Sequence, residues 1–165
     1  MNELKRKPEL FTAAMKYFTM TGDAIRIKEL HRRGIDIHFE NNYIMRKGFI
    51  NGHLEVIQFM INNGVKLQAD LDYLLKLNAE RGRLAIVKYL VQHGADIHVD
   101  EDYPLLMSAS NGHLNVVRYL VERGADVSAE NDLAYQMASK NRHYKVCEYL
   151  FQFMAESSES DGESW

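Results

Sequence analysis

Eight of the ten glycines stand on a ruler. Gly22, Gly52, Gly82 and Gly112 are 30 residues apart, and so are Gly34, Gly64, Gly94 and Gly124, each 12 residues after a member of the first set. A fixed period of this size means a string of like supersecondary units. No such unit buries a hydrophobic face alone, so neighbours must stack and share one core. The 165 residues then divide into units of about 9–38, 39–68, 69–98, 99–128 and 129–154.

The residues between the glycines say what each unit is made of. After the first glycine come Gly52-His53-Leu54-Glu55-Val56-Ile57, Gly82-Arg83-Leu84-Ala85-Ile86-Val87 and Gly112-His113-Leu114-Asn115-Val116-Val117. A degenerate fifth copy runs from Arg142-His143-Tyr144 to Leu150. Apolar residues recur there at three- and four-residue spacing, as in Leu114, Val117, Leu120 and Val121, which predicts an amphipathic helix ending at a glycine suited to the left-handed position. A second helix precedes each first-column glycine. Thr12, Asn42, Asp72, Asp102 and Asp132 form its expected N-cap column, because their side-chain oxygens can accept from a first-turn N–H. Small residues such as Ala79, Ser108, Ala109 and Ala138 follow and let neighbouring helices approach closely. Pro104 falls in the first turn, where its missing N–H costs little.

These strings resemble ankyrin repeats, above all Asn111-Gly112-His113-Leu114, Val116-Val117-Arg118-Tyr119-Leu120-Val121 and Gly124-Ala125-Asp126-Val127. The resemblance covers roughly residues 10–154. It implies an all-α ankyrin-repeat solenoid of about five stacked helix-turn-helix units. The family period is about 33 residues, so these shorter copies imply short turns in place of long β-hairpin fingers. Tyr103-Pro104-Leu105-Leu106 stands where the family usually shows Thr-Pro-Leu-His. The shortened copies also resemble the ankyrin sets of giant DNA viruses of amoebae (mimivirus-like).

The first and last units depart from the pattern, as solenoid caps do. Arg26, Lys28, Arg32 and Arg33 occupy the second helix of the first unit, and Arg142 and Met154 replace the glycines of the last. Residues 155–165 carry four acids and no base, and form an expected acidic, Ser-rich disordered tail beside a repeat domain of residues 1–154. The formal charge of −3 is therefore a body of +1 with a tail of −4. Within the tail, Ser158-Glu159-Ser160-Asp161 resembles an acid-directed phosphorylation sequence.

Chemistry is thin. The 7 histidines include the columns His53, His113, His143 and His38, His98, whose members lie in different units. Zinc needs its ligands within about 2.0–2.3 Å, and no pair stands at i, i+4 on one helix face. These are loop histidines whose ring nitrogens bond neighbouring backbone. Cys147 shares a column with the apolar Ile57, Val87 and Val117 and is expected to be a small buried hydrophobe. No phosphate loop appears, since Gly22 and Gly34 lack the required spacing and a following Lys-Ser/Thr. Tyr43, Tyr73 and Tyr103 could stack bases, but their register favours packing between units. No catalytic, cofactor or metal residue is expected, nor a small-molecule substrate. No apolar run approaches the ~18 residues of a membrane span, and the charged Met1–Pro8 stretch carries no secretory signal. A single cysteine fits a reducing compartment, so a cytoplasmic location is expected, the host's if the chain is viral.

The resemblance implies a non-enzymatic adaptor or inhibitor that grips another protein with its concave surface of inner helices and turns. The variable columns support this. One inner-helix column runs Met20, Ile50, Glu80, Ser110, Lys140, and another Lys16, Arg46, Lys76, Leu106, Gln136. The turn column runs Asn41, Leu71, Glu101, Asn131, and Phe39 stands out in a column of Ala69, Val99 and Ala129. Packing does not require such mixed chemistry. Phe39 and Ile50 are candidate apolar anchors. Two alternatives stay open. One is a binder of nucleic acid or an anionic surface through the basic first unit, which carries +4 through Gly34, although the near-neutral body speaks against nucleic acid. The other is a self-assembling module whose imperfect cap stacks on another copy; the expected state is a monomer or a weak self-association.

Overall fold

A computed structural model of the chain describes residues 8–38, 41–66 and 70–160. Among the described residues every element is a helix joined by short turns, and no strand occurs. The helices are α1 (Pro8–Thr21), α2 (Ala24–Arg32), α3 (Asn41–Asn51), α4 (Leu54–Asn62), α5 (Leu71–Glu80), α6 (Leu84–Gln92), α7 (Val99–Ser110), α8 (Leu114–Val121), α9 (Ala129–Lys140) and α10 (Tyr144–Ser160). They fall into two compact units, Met1–Asp70 and Leu71–Trp165, each a whole number of repeats. In the first unit α1 packs on α3 and α2 on α4. In the second α5, α7 and α9 pack in series, as do α6, α8 and α10.

The columns read in the sequence become the core. Ile27, Ile57, Val87 and Val117 are fully buried, as are Met60, Leu90 and Leu120 three residues after the last three of them, and Leu150 in the same column. Each such side chain contributes about 1.5–3 kcal/mol over leaving it exposed. The small column also behaves as expected, with Ala79, Ala109 and Ala138 at the helix contacts. Its buried polar members bond within their own helix: Asn78 Nδ2 donates to Leu74 O at 2.8 Å, and Ser108 Oγ to Leu105 O at 3.0 Å.

The two glycine columns serve different purposes. An added Cβ at Gly22 would lie 2.4 Å from His53 Nδ1, and at Gly82 and Gly112 it would lie 2.5 Å from the same atom of His113 and His143. At Gly34, Gly94 and Gly124 it would meet nothing within 4 Å. Those three are held only by their backbone, with φ of +83°, +97° and +97°. Loops of the first kind are therefore contacts between repeats, and turns of the second kind are local helix ends.

Two expectations need correction. The carboxylates at Asp72 and Asp102 do not cap their own helices. Asp72 Oδ1 accepts from Asp96 N at 2.8 Å and Asp102 Oδ1 from Asp126 N at 3.1 Å, so each ties the following turn, 24 residues on. Regular helix begins only after a left-handed run at Asp100, Glu101 and Asp102, with φ of 50°, 57° and 61°, and the run repeats at Glu130, Asn131 and Asp132. At Asp102 the left-handed turn aims the carboxylate away from the first-turn N–H groups. Among the described residues a side-chain cap forms at Asp23, which accepts from Arg26 N at 3.0 Å. The second correction concerns the tail, expected from residue 155: α10 continues to Ser160. Met154 occupies the position where other repeats have a terminating glycine, and Ala155-Glu156 favour helix.

Candidate functional site

The inner helices of the second unit carry the variable columns on a common register. Leu75 and Leu105 are buried, and one residue on, Lys76 and Leu106 are half-buried with Gln136 exposed in the same column. Ala79 and Ala109 are buried, and one residue on, Glu80 and Lys140 are exposed with Ser110 half-buried between them. A step of one position thus moves from invariant packing to free chemistry, because successive helix positions point about 100° apart. In the first unit Arg46 is exposed and Ile50 half-buried. Phe39 lies outside the described residues, and so does the side chain of Asn41.

The turn column borders this face in the second unit. Leu71 is half-buried, while Glu101 and Asn131 are exposed on the left-handed turns. Lys76 Nζ pairs with Asp100 at 2.5 Å and lies 6.0 Å above the Tyr103 ring, joining the inner helix of one repeat to the turn of the next. Asn141 Nδ2 donates to Ser110 O at 2.7 Å. Asn131 O accepts from Gln136 Nε2 at 2.7 Å. Tyr73 and Tyr103 remain 39% and 38% exposed, half covered by packing and half available.

One electrostatic feature escaped the sequence reading. Glu130 has its carboxyl raised above the ordinary glutamate range, first by a hydrogen bond with Glu101 and then by that carboxylate's charge. They stand 29 positions apart, one short of the period, and only the left-handed turns bring them together. A second missed pattern lies on the outer helices. Lys28, Lys88 and Arg118 sit 5.9, 5.5 and 5.0 Å from the ring centres of Phe59, Tyr119 and Tyr149, each in the next repeat. Both columns are visible in the sequence, but the 31-residue offset that pairs them appears only when neighbouring repeats are stacked.

His53 and His113 bond neighbouring backbone as expected, whereas the rings of His38 and His98 meet carboxylates, of Asp36 and Asp102. His53 Nε2 lies 2.9 Å from Met20 O and His113 Nε2 2.8 Å from Glu80 O. A carbonyl only accepts, so Nε2 carries the proton in both. His98 Nδ1 reaches the buried Asp102 carboxylate at 3.1 Å. Cys147 is half-buried rather than buried, and burial pushes its thiol up, away from the thiolate a nucleophile needs. Among the described residues no group of His, Cys, Asp or Glu could hold a metal ion, and no helix is long and apolar enough to cross a membrane. Among the described residues of the basic first unit, Arg32 and Arg33 share Glu29 at 2.9 and 2.8 Å, and Lys28 meets Glu55 at 2.7 Å.

A family model described as ankyrin repeats, three copies, matches residues 75–161. No curated protein matches the chain.

Proposed function

The chain belongs to the ankyrin-repeat family, and on that footing we propose that it is an adaptor or inhibitor gripping one protein through its inner helices and turns. Ankyrin repeats are protein–protein interaction modules and not enzymes by design. Fold alone names no partner. The observation that carries the proposal is the alternation along α5, α7 and α9. Leu75, Ala79, Leu105 and Ala109 are buried and nearly constant in chemistry, while Lys76, Glu80, Leu106, Ser110 and Lys140 beside them vary freely and reach solvent.

In the second unit the proposed contact residues are those with Leu71, Glu101 and Asn131; in the first unit they are Phe39, Asn41, Arg46 and Ile50. A surface of this kind suits a standard interface of about 800 Å² per partner. If the shortened repeats reflect a giant-virus origin, the partner is a host protein and the place of action the host cytoplasm.

The test uses the full chain as bait for extracts of its native source. Three forms are compared: unaltered, an inner-face variant (Glu80→Lys, Leu106→Asp, Lys140→Glu) and an outer-face variant (Asn115→Arg, Glu122→Arg). A protein held by the unaltered and outer-face forms and lost by the inner-face form, with equal melting temperatures, is the expected result. Equal capture by the inner-face form would overturn the assignment.

An anionic surface at the basic first unit is less favoured, because Arg32, Arg33 and Lys28 already have carboxylate partners.

A further inference from the structure

Exposed apolar surface concentrates on the first and last repeats. Tyr17 is 62% exposed, while its column-mates Met107 and Met137 are half-buried. Met137 belongs to the last repeat, so what covers this column is the preceding repeat. Tyr144 is 71% exposed, while Leu84 and Leu114 are half-buried and Ala24 of the first repeat is buried. Phe151 is 59% exposed, while Val91 and Val121, and His31 of the first repeat, are half-buried. What covers these two columns is the following repeat. The first repeat therefore presents a face built to receive a preceding repeat, and the last a face built to receive a following one.

The end members of the two contact columns are opposite in charge. Inside each unit a loop glycine meets the histidine 31 residues later: Gly22 with His53, Gly82 with His113, Gly112 with His143. The last member of the glycine column is Arg142, a cation where every other repeat has no side chain. The histidine column holds Arg83 in the third repeat and Asp23 in the first, an anion that also caps α2 and pairs with Arg26 at 3.3 Å. Beyond them the charge through Gly34 is +4 and that of residues 155–165 is −4.

We propose that a second copy of this chain stacks head to tail, its first repeat on the last repeat of its neighbour, with Tyr144 and Phe151 covered by the incoming α1 and α2 and Arg142 facing Asp23. Such a contact is heterologous, each copy using two different surfaces. It is weaker than the contacts within a unit. Arg26, lying 5.4 Å above the Phe18 ring, stands where Val56, Ile86, Val116 and Val146 bury an aliphatic side chain. Assembly is therefore reversible and concentration-dependent. It uses none of the residues changed in the inner-face variant above, so that variant leaves it intact.

Sedimentation velocity on the full chain, from micromolar to millimolar, tests it. The unaltered chain should rise above the 19.1 kDa of one copy. Tyr144→Asp with Phe151→Asp abolishes the last-repeat face, and Tyr17→Asp the first-repeat face. Each variant should stay at one copy by itself, and an equal mixture of the two should form a dimer and nothing larger. Circular dichroism checks that both are folded. Arg142→Asp, on an exposed loop, should weaken association about fivefold on its own. A constant mass of one copy in the unaltered chain overturns the proposal. So does a dimer that survives in either variant alone, since that would mean like surfaces pairing, and so does a mixture that stays monomeric.

Discussion

The two glycine loops of each repeat look alike in the sequence and differ in what they hold. The loop between the helices of one repeat (Gly22, Gly82, Gly112) presses against a histidine ring of the next repeat, with no room for a methyl group. The turn between repeats (Gly34, Gly94, Gly124) faces open space and needs glycine only for its positive φ. A residue repeated at one spacing can thus be required by two neighbours or by its own backbone alone. Periodicity does not tell these apart.

Substitutions can break or sharpen that contrast. Gly112→Ala combines backbone strain with a clash against His143 and should cost about 3–4 kcal/mol by chemical denaturation. Adding His143→Ala in the same chain should recover the clash and leave about 1–2 kcal/mol of strain. Asp102→Ala should cost about 2–3 kcal/mol, because the buried carboxylate holds both the Asp126 N–H and His98, and its loss strands a turn. Gly124→Ala should cost about 1–2 kcal/mol, strain alone. Equal costs at Gly112 and Gly124 would erase the distinction between the loops.

The smallest effect belongs to Glu130. Its carboxyl is raised by Glu101, so the folded chain holds that proton more tightly than the unfolded chain does. The group therefore favours the fold in acid, and that contribution is lost as pH rises through its raised value. Glu130→Gln should raise the thermal midpoint at neutral pH and leave it unchanged below the ordinary glutamate range of about 4.3. A gain of equal size in acid would show that the two carboxyls do not interact.

Much of the fold was legible because packing is periodic. Ile57, Val87 and Val117, Ala79 and Ala109, and both glycine columns repeat since each repeat meets the same neighbours. The second unit was the more legible, and the family model falls within it, from residue 75 to 161. The first unit blurs the columns: Arg26 replaces a valine and Glu29 replaces the aromatic residue of Phe59, Tyr89, Tyr119 and Tyr149. What the sequence hid was direction. Asp72 and Asp102 read as helix caps, because aspartate before an apolar run usually caps. Left-handed backbone at Asp100–Asp102 has no sequence signature in a run of acidic residues, and it turns the Asp102 carboxylate toward the next repeat. The contact surface was legible only as variability, since a column free of packing constraint looks the same whether or not it binds.

Hydrogen exchange on the full chain, with and without the captured protein, tests the central claim most directly. Protection gained in α5, α7 and α9 and in the turns at 99–102 and 129–132, with α6, α8 and α10 unchanged, is the predicted result. Protection confined to the outer helices α6, α8 and α10 would contradict it.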